Sequence, residues 1–262
     1  GAPAAAPEEV SPFAKVKFDQ GPTKGRLEEY ATIDVPEGFA FVSGKREAGK
    51  FMEATKNIPS GREVGVLLPT DDKADWWVLF QFDPVGYVKD DDKNDLDANK
   101  ILESMKEGTE EGNKERRRRG WDDLHVTGWH KAPSYNPTTH NLEWSLRLKG
   151  STGEDINHEV RLLGRRGVMS ATLVVSPESV DATLPRFAKV LEGYTYTQTE
   201  SYSAWKPGDK VAEYGLIGLM TVGTLAVAAK SGLLAKLIKP LILGIVAIGA
   251  AIKRLFTGKK SA

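Results

Sequence analysis

A glycine-rich segment near the start of the chain has the spacing of a phosphate-binding loop. Four residues separate Gly44 from Gly49, Lys50 follows, and the segment lies between a predicted strand and a predicted helix. The next residue is Phe51 instead of serine or threonine, so the hydroxyl ligand for a nucleotide-bound magnesium ion is missing. The sequence therefore favours an ordinary Gly-Lys turn before a helix over a nucleotide site.

An acidic segment, residues 90–97, contains the oxygen ligands that calcium prefers. In the register of an EF-hand loop that begins at Asp90, Asp95 falls where glycine is needed and Ile101 where the bidentate glutamate is needed. We therefore expect a solvated loop that caps the helix after it.

Histidine and cysteine give no metal or nucleophile signature. The chain has no cysteine, which excludes thiolate nucleophiles and every Cys-ligated metal site. The spacing of the four histidines matches no zinc signature, and no Gly-x-Ser-x-Gly elbow is present. The sequence thus assigns no catalytic residue, no cofactor-binding residue and no metal ligand.

Three residues are candidates for a protein interface. The adjacent Trp76 and Trp77 point to opposite faces of a predicted strand, and one of them, Trp77 in our assignment, is available to a partner. Arg161 and Arg165 alternate along another predicted strand on one face, where they would meet acids or a partner chain. The alternative interpretation is that both arginines have only a structural role in a sheet and its turns.

Apolar periodicity predicts the elements that would position these residues. Period-two patterns indicate strands, and three segments with apolar residues every three or four positions indicate helices. Apolar residues alternate from Leu27 to Val35, and this segment and Phe39 to Val42 flank a Pro-Glu-Gly turn, which predicts a hairpin. The further predicted strands are 64–68, 76–82, 123–131, 141–149, 157–165 and 167–176, and the helices lie near 48–55, from Asp95 or Asp97 to Arg119, and from Ser176 to Gly193. The predicted fold class is α+β, an antiparallel-rich sheet with about three helices.

The charges divide the chain into two parts. The totals of 36 basic and 36 acidic residues cancel, but residues 211–262 carry seven positive charges against Glu213, a net of +6, and the other 210 residues sum to −6. The basic part is also apolar, with uncharged runs at 214–229 and 240–252. A polybasic nucleic-acid arm is polar throughout, so this combination favours membrane lipids over nucleic acid as the partner.

Three arrangements of the C-terminal part stay open at this point. It could form a transmembrane helical hairpin, one transmembrane helix followed by an amphipathic segment, or a buried core hairpin of a soluble protein. Trp205 and Tyr214 suit an aromatic belt, Lys253 and Arg254 suit anionic headgroups, and small residues let helices pack closely and self-associate. The glycines assigned to that packing are Gly215, Gly218, Gly223, Gly244 and Gly249.

These patterns predict three regions. Residues 1–20 form a disordered Ala/Pro leader left after cleavage of a signal peptide, 21–205 an α+β domain, and 206–262 a membrane anchor with a basic tail. With the cations after the first apolar run on the cytoplasmic side, the domain is expected in the periplasm.

A combination of motifs carries a resemblance over most of the chain from about Gly38 onward. The motifs are Gly128-Trp129, Pro133, Tyr135-Asn136, Thr139, Leu142, Trp144, Gly86-Tyr87-Val88 with Asp90-Asp91-Asp92, Asn157, Arg161, Leu163-Gly164-Arg165, Gly167-Val168 and Ala212-Glu213-Tyr214-Gly215. In these the chain resembles a bacterial family of uncharacterised membrane-anchored proteins with a C-terminal transmembrane region, a domain of unknown function. The resemblance implies a signal peptide, an envelope location and a membrane anchor, and it implies no reaction.

Two functions are compatible with the sequence. The first is a non-enzymatic, membrane-anchored envelope protein that self-associates through its Gly/Ala-rich C-terminal helices into a homo-oligomeric scaffold or pore. The alternative is a membrane-tethered enzyme or ligand-binding module that acts on an envelope component. Its candidate groups are Lys50, His125, His158, Arg161 and the acidic segment at Asp90.

Overall fold

One large antiparallel sheet dominates the computed structural model, which describes residues 11–71 and 73–221. The sheet has eight strands in the order β1-β4-β5-β6-β10-β9-β8-β7. They are β1 (Asp19–Gln20), β4 (Phe39–Ser43), β5 (Glu63–Pro69), β6 (Trp76–Asp83), β7 (His125–Asn136), β8 (Asn141–Lys149), β9 (Glu154–Leu163) and β10 (Val168–Val175). Short connections between β7 and β10 make these strands an antiparallel meander.

A smaller sheet packs on the large one. It contains β2 (Thr23–Leu27), β3 (Ala31–Val35) and β11 (Tyr194–Tyr196) in the order β11-β3-β2, all antiparallel. The predicted hairpin between β3 and β4 is wrong, because β3 pairs with β2 and β11 whereas β4 pairs with β1 and β5. The turn at 36–38 thus carries the chain from one sheet to the other.

Four α-helices occur in the described part of the chain: α1 (Lys45–Ala54), α2 (Ala98–Arg118), α3 (Val180–Leu191) and α4 (Leu216–Thr221). The Asp97 carboxylate accepts hydrogen bonds from the amides of Asn99 and Lys100, both at 3.1 Å, and so begins α2 as predicted. A 3-10 turn, Tyr202–Ala204, precedes α4.

The two faces of the large sheet have different covers. On the first face, Val78, Phe80 and Leu173 pack with the smaller sheet and with α3, which contributes Phe187. On the second face the helices lie at the two sides. There α1 covers Trp77, Leu79 and Val174, and α2 with α4 covers Trp144, Leu146 and Val168.

The predicted fold class was wrong in two respects. The described residues contain four α-helices instead of about three, and none of their helices is long and apolar enough to cross a membrane, so the predicted transmembrane segment or hairpin is not found among them. Most of the predicted anchor, including Gly223, Gly244, Gly249, Lys253 and Arg254, lies outside the described residues, as do residues 1–10. Within the predicted leader, Phe13 and Val16 are buried against α1.

Candidate functional site

Polar side chains cross the middle of the second sheet face, between the two groups of helices. Alternate residues of a strand point to one face, and the strand register places Glu159 beside Thr172 and Arg161 beside Ser170. Ser170 in turn lies beside Gln81 of β6. We call this set the polar row, and it consists of Gln81, Asp83, Asn157, Glu159, Arg161, Ser170 and Thr172.

Arg161 is the centre of the polar row. Its Nη1 donates to Ser170 Oγ and lies 3.6 Å from Asp83 Oδ2, while its Nη2 lies 3.4 Å from Glu159 Oε2. The guanidinium also lies over the Trp144 ring, 5.4 Å from the ring centroid. This arginine is only 9% exposed, so its charge is held inside the protein.

Two acids flank that arginine in different surroundings. Asp83 Oδ1 accepts a hydrogen bond from Arg62 Nη1 at 2.5 Å, so this carboxylate has two cationic partners, Arg62 and Arg161. Glu159 accepts a hydrogen bond from Thr172 Oγ1 at 2.8 Å and is 4% exposed. Burial raises the pKa of Glu159, and the nearby Arg161 only partly opposes the rise.

Several buried polar atoms of this face have no hydrogen-bond partner among the described residues. Both side-chain atoms of Asn157 lack one although the residue is 1% exposed. Glu159 Oε2, Arg161 Nε and the indole nitrogens of Trp77 and Trp144 also lack one. Each such group costs on the order of 1–3 kcal/mol, so a native fold seldom leaves several together. A concentration of them marks a site whose hydrogen bonding is incomplete.

The chain after the smaller sheet returns to the large sheet and is tied to it. Arg165 forms a bidentate pair with Asp209, with N–O distances of 2.6 and 2.7 Å, and this pairing lowers the pKa of Asp209 to about 2. Arg166 pairs in the same way with Glu200. Backbone bonds join Tyr87 to Lys210 and Ala212. We call residues 200–221 the docked segment.

Aromatic side chains seal the middle of the docked segment. Tyr202 stacks on Tyr87 with a centroid distance of 4.3 Å, and its hydroxyl donates to the carbonyl of Val88 at 2.9 Å. Trp205 lies 5.3 Å from Tyr87 and is 37% exposed. The Tyr135 hydroxyl donates to Asp90 at 2.9 Å, which fixes the acidic loop beside this cluster.

Asp92 fixes the point at which α4 begins. Its two carboxylate oxygens accept hydrogen bonds from the amides of Leu216 at 2.9 Å and Ile217 at 3.0 Å. A Cβ at Gly215 would lie 2.6 Å from that carboxylate, so glycine is needed for the close approach. The acidic loop therefore caps a helix 124 residues away in the chain, in addition to the following helix that the sequence predicted.

The predicted site residues lie in several places. Trp77 is buried and packs edge-on against Phe51 at 5.1 Å, and Arg161 and Arg165 are paired inside the chain as described above. Tyr214 is half-buried, and burial, followed by the charge of Asp83, raises its pKa to about 12. At Gly218 a Cβ would lie 2.4 Å from that of Tyr214, so close packing on a tyrosine explains this glycine.

The groups of the alternative, enzymatic interpretation are not brought together. Lys50 pairs with Glu47 at 2.7 Å on α1, and His125 contacts Glu110 at 2.7 Å on the surface. His158 points to the first sheet face, where its Nδ1 lies 2.7 Å from Ser145 Oγ and burial lowers its pKa to about 4. Ser145 is fully buried, so this pair has no access to a substrate.

The described part of the chain thus defines a class: an antiparallel α+β domain that holds its own C-terminal segment beside a buried polar row. The chain belongs to the family described as protein of unknown function (DUF2167), which matches residues 19–252. That match extends 31 residues past Thr221, so the family unit includes most of the basic C-terminal part. No curated protein matches the chain.

One solved structure with a measurable likeness is the solution structure of cyanobacterial PsbP (CyanoP) from Synechocystis sp. PCC 6803. Its TM-score is 0.42 at 10% sequence identity, over 74% of this chain and 99% of that one.

Proposed function

We propose that this is a non-enzymatic, self-associating protein of the bacterial cell envelope that attaches to a membrane through residues 222–262. We call these residues the basic tail. The described domain serves as the platform from which the basic tail leaves. The observation that carries the proposal is the fixed start of α4, where Asp92 binds the amides of Leu216 and Ile217.

The composition of the basic tail supports attachment to anionic lipid. It contains seven lysines and arginines and no acid, and its residues 240–252 form an uncharged, mainly aliphatic run. Each cation near an anionic membrane surface contributes about 1 kcal/mol, and the aliphatic side chains add burial in the headgroup region. Small residues in the same stretch favour close packing between copies.

The docked segment supports a platform role. Two bidentate Arg-carboxylate pairs, a stacked tyrosine pair and the Asp92 cap hold about twenty residues before the basic tail. Charge-assisted bidentate pairs are among the stronger polar contacts in proteins. Such a connection fixes where the tail leaves the domain, which a flexible linker would not do.

Vesicle sedimentation tests the membrane part of the proposal. The full chain is mixed with vesicles of phosphatidylglycerol and phosphatidylcholine, and a variant carries glutamine in place of the four terminal cations, Lys253, Arg254, Lys259 and Lys260. Because each cation contributes about 1 kcal/mol, we expect binding at least ~10-fold weaker than for the native chain.

The matched control replaces four exposed lysines of the domain: Lys15, Lys17, Lys45 and Lys73. It should bind the vesicles as the native chain does, and equal losses in both variants would contradict attachment by the tail. Light scattering in mild detergent tests self-association, and a monodisperse monomer would remove that part of the proposal.

A further inference from the structure

We infer that an exposed aromatic surface of the domain contacts the headgroup region of a phospholipid bilayer. We call this surface the aromatic patch, and it consists of Tyr87, Tyr202 and Trp205 together with Val211. The inference deepens the proposed function and rests on it, because it names the part of the domain that meets the lipid.

The exposure of the aromatic patch is the first reason. Within residues 11–71 and 73–221, the exposed large apolar side chains are Trp205 and Val211, both at 37%. Both adjoin Tyr87, because its ring centroid lies 5.3 Å from that of Trp205 and its backbone pairs with that of Val211. Single exposed apolar residues are ordinary, but two that adjoin the same tyrosine form a continuous surface.

The chemistry of the aromatic patch is the second reason. Tryptophan and tyrosine are enriched at membrane–water interfaces, because each combines an apolar ring with a polar atom that stays in water. Tyr202 stacks on Tyr87 and donates its hydroxyl to the carbonyl of Val88, so the rings that support Trp205 are fixed. A surface that is already ordered loses little conformational freedom when it binds.

Lysines at the edge of the aromatic patch are the third reason. Lys206 follows Trp205, Lys210 precedes Val211, and Lys89 lies two residues after Tyr87. All three lysines are exposed and form no ion pair within the described part of the chain. Cations beside an apolar surface favour its approach to anionic headgroups.

The acids near the aromatic patch do not outweigh the cations. Four of these acids pair with a cation or cap a helix: Asp90, Asp92, Glu200 and Asp209. With the paired Arg165 and Arg166, the segments 86–93 and 200–215 carry six cations and six acids. This edge is therefore neutral although the domain as a whole is acidic, and it can contact anionic lipid while the rest of the domain faces away.

The position of the aromatic patch is the fourth reason. Tyr202 packs against the cluster that contains Leu216 and Met220 of α4. The docked segment ends at Thr221, immediately before the basic tail that we propose to be at the membrane. The aromatic patch thus adjoins the helix from which the chain continues into the basic tail.

Site-specific fluorescence in the full chain tests the inference, because the chain has no native cysteine. Val211→Cys is labelled with the environment-sensitive dye NBD and mixed with vesicles of phosphatidylglycerol and phosphatidylcholine. Part of the phosphatidylcholine carries a nitroxide on its acyl chain near the headgroup, which quenches the dye only at short range. We expect a loss of dye fluorescence when the nitroxide lipid is present.

The matched control is Ala182→Cys with the same dye, because Ala182 is exposed on α3, which packs on the first sheet face. Its fluorescence should not respond to the nitroxide lipid. Equal quenching at both positions would overturn the inference, because the domain would then have no preferred surface for lipid. A change in dye emission at position 211 that depends on protein concentration and needs no lipid would also overturn it and assign the patch to a second copy.

Sedimentation of the same samples separates the inference from the proposed function. A chain that sediments with the vesicles while the dye at position 211 is not quenched would overturn the inference and leave the proposed function standing. A chain that does not sediment with them would contradict both.

Substitution of Trp205 provides a second measurement. Trp205→Ser removes the exposed ring, and we expect vesicle binding at least ~3-fold weaker than for the native chain, because less apolar surface leaves water. Trp205→Phe keeps a ring against Tyr87 and should restore most of the binding. Equal binding by Trp205→Ser and the native chain would contradict a contribution of the aromatic patch to attachment.

Discussion

Glu159 and Arg161 lie side by side in the middle of a buried sheet face, where an apolar pair would be expected. Burial of charge is favourable only when partners replace the lost water, and here Arg161 Nε and Glu159 Oε2 each lack a hydrogen bond among the described residues. In some proteins, buried polar groups of this kind specify which surface packs on them at a cost in stability.

Replacement of Glu159 by glutamine tests the energetic cost of that carboxyl. Glutamine keeps the shape and the acceptor for Thr172 but cannot ionise. Because the pKa of Glu159 is raised above its ordinary 4.5, its stabilising contribution is present below that pH and is lost as the pH rises through the folded pKa. We expect the variant to become more stable relative to the native protein as the pH rises from 4.5.

Urea unfolding of both proteins at a series of pH values above 4.5 measures this difference. Glu154→Gln is the control, because Glu154 begins the same strand but is exposed. The control should follow the native protein at every pH. Parallel curves for Glu159→Gln and the native protein would show that the buried carboxyl carries no such cost.

At the scale of single residues, the local sequence pattern does not predict whether a polar side chain is exposed or buried. The alternating Asn157, Glu159 and Arg161 have the pattern of a solvent-facing strand surface, yet all three are buried. The elements that pack on a strand come from distant parts of the chain. Local alternation of polar and apolar residues therefore cannot distinguish a solvent-exposed sheet face from a buried polar one.

The docked segment is the element on which the proposed function depends most. Its end is held by contacts between residues more than a hundred positions apart, including the Asp92 cap on α4. The sequence predicts α1, α2 and α3 from their apolar spacing, because this signal is local. It does not predict the Asp92 cap or the separation of β3 from β4, because both depend on tertiary packing.

Gly215→Ala tests the close approach on which the docked segment depends. The added methyl would lie 2.6 Å from the Asp92 carboxylate, so the acid must move away from the amides of Leu216 and Ile217. Loss of a helix cap costs about 0.5–2 kcal/mol, and we expect a destabilisation in that range. Hydrogen exchange by mass spectrometry should show faster exchange in peptides that cover residues 205–221.

Gly112→Ala provides the comparison within a helix. No atom lies within 4 Å of a Cβ at that position of α2, so alanine should stabilise the protein by up to about 1 kcal/mol. If Gly215→Ala behaved like Gly112→Ala, the contact with Asp92 would not be what requires glycine. Packing between helices of different copies, the role predicted from sequence, would then regain support.

At the scale of the whole molecule, the net charge of zero is the sum of two parts with opposite charge. The net charge is zero, but the basic tail carries +7 and no acid, so the other residues sum to −7. If the chain attaches to a membrane as proposed, anionic lipid repels the acidic domain and attracts the basic tail, so we expect the domain to face away from the lipid.

Ionic strength distinguishes the two contributions to membrane attachment. Raising the salt concentration from about 0.1 M to about 1 M shortens the Debye length from roughly 10 Å to roughly 3 Å, which removes most of the attraction between cations and headgroups. The aliphatic run at 240–252 is unaffected by screening, because transfer of apolar surface from water does not depend on charge. Binding of the full chain to anionic vesicles should therefore fall to the level measured on pure phosphatidylcholine without disappearing. Unchanged binding at high salt would mean that the seven cations have no part in attachment. Complete loss of binding at high salt would mean that the aliphatic run has no part in it.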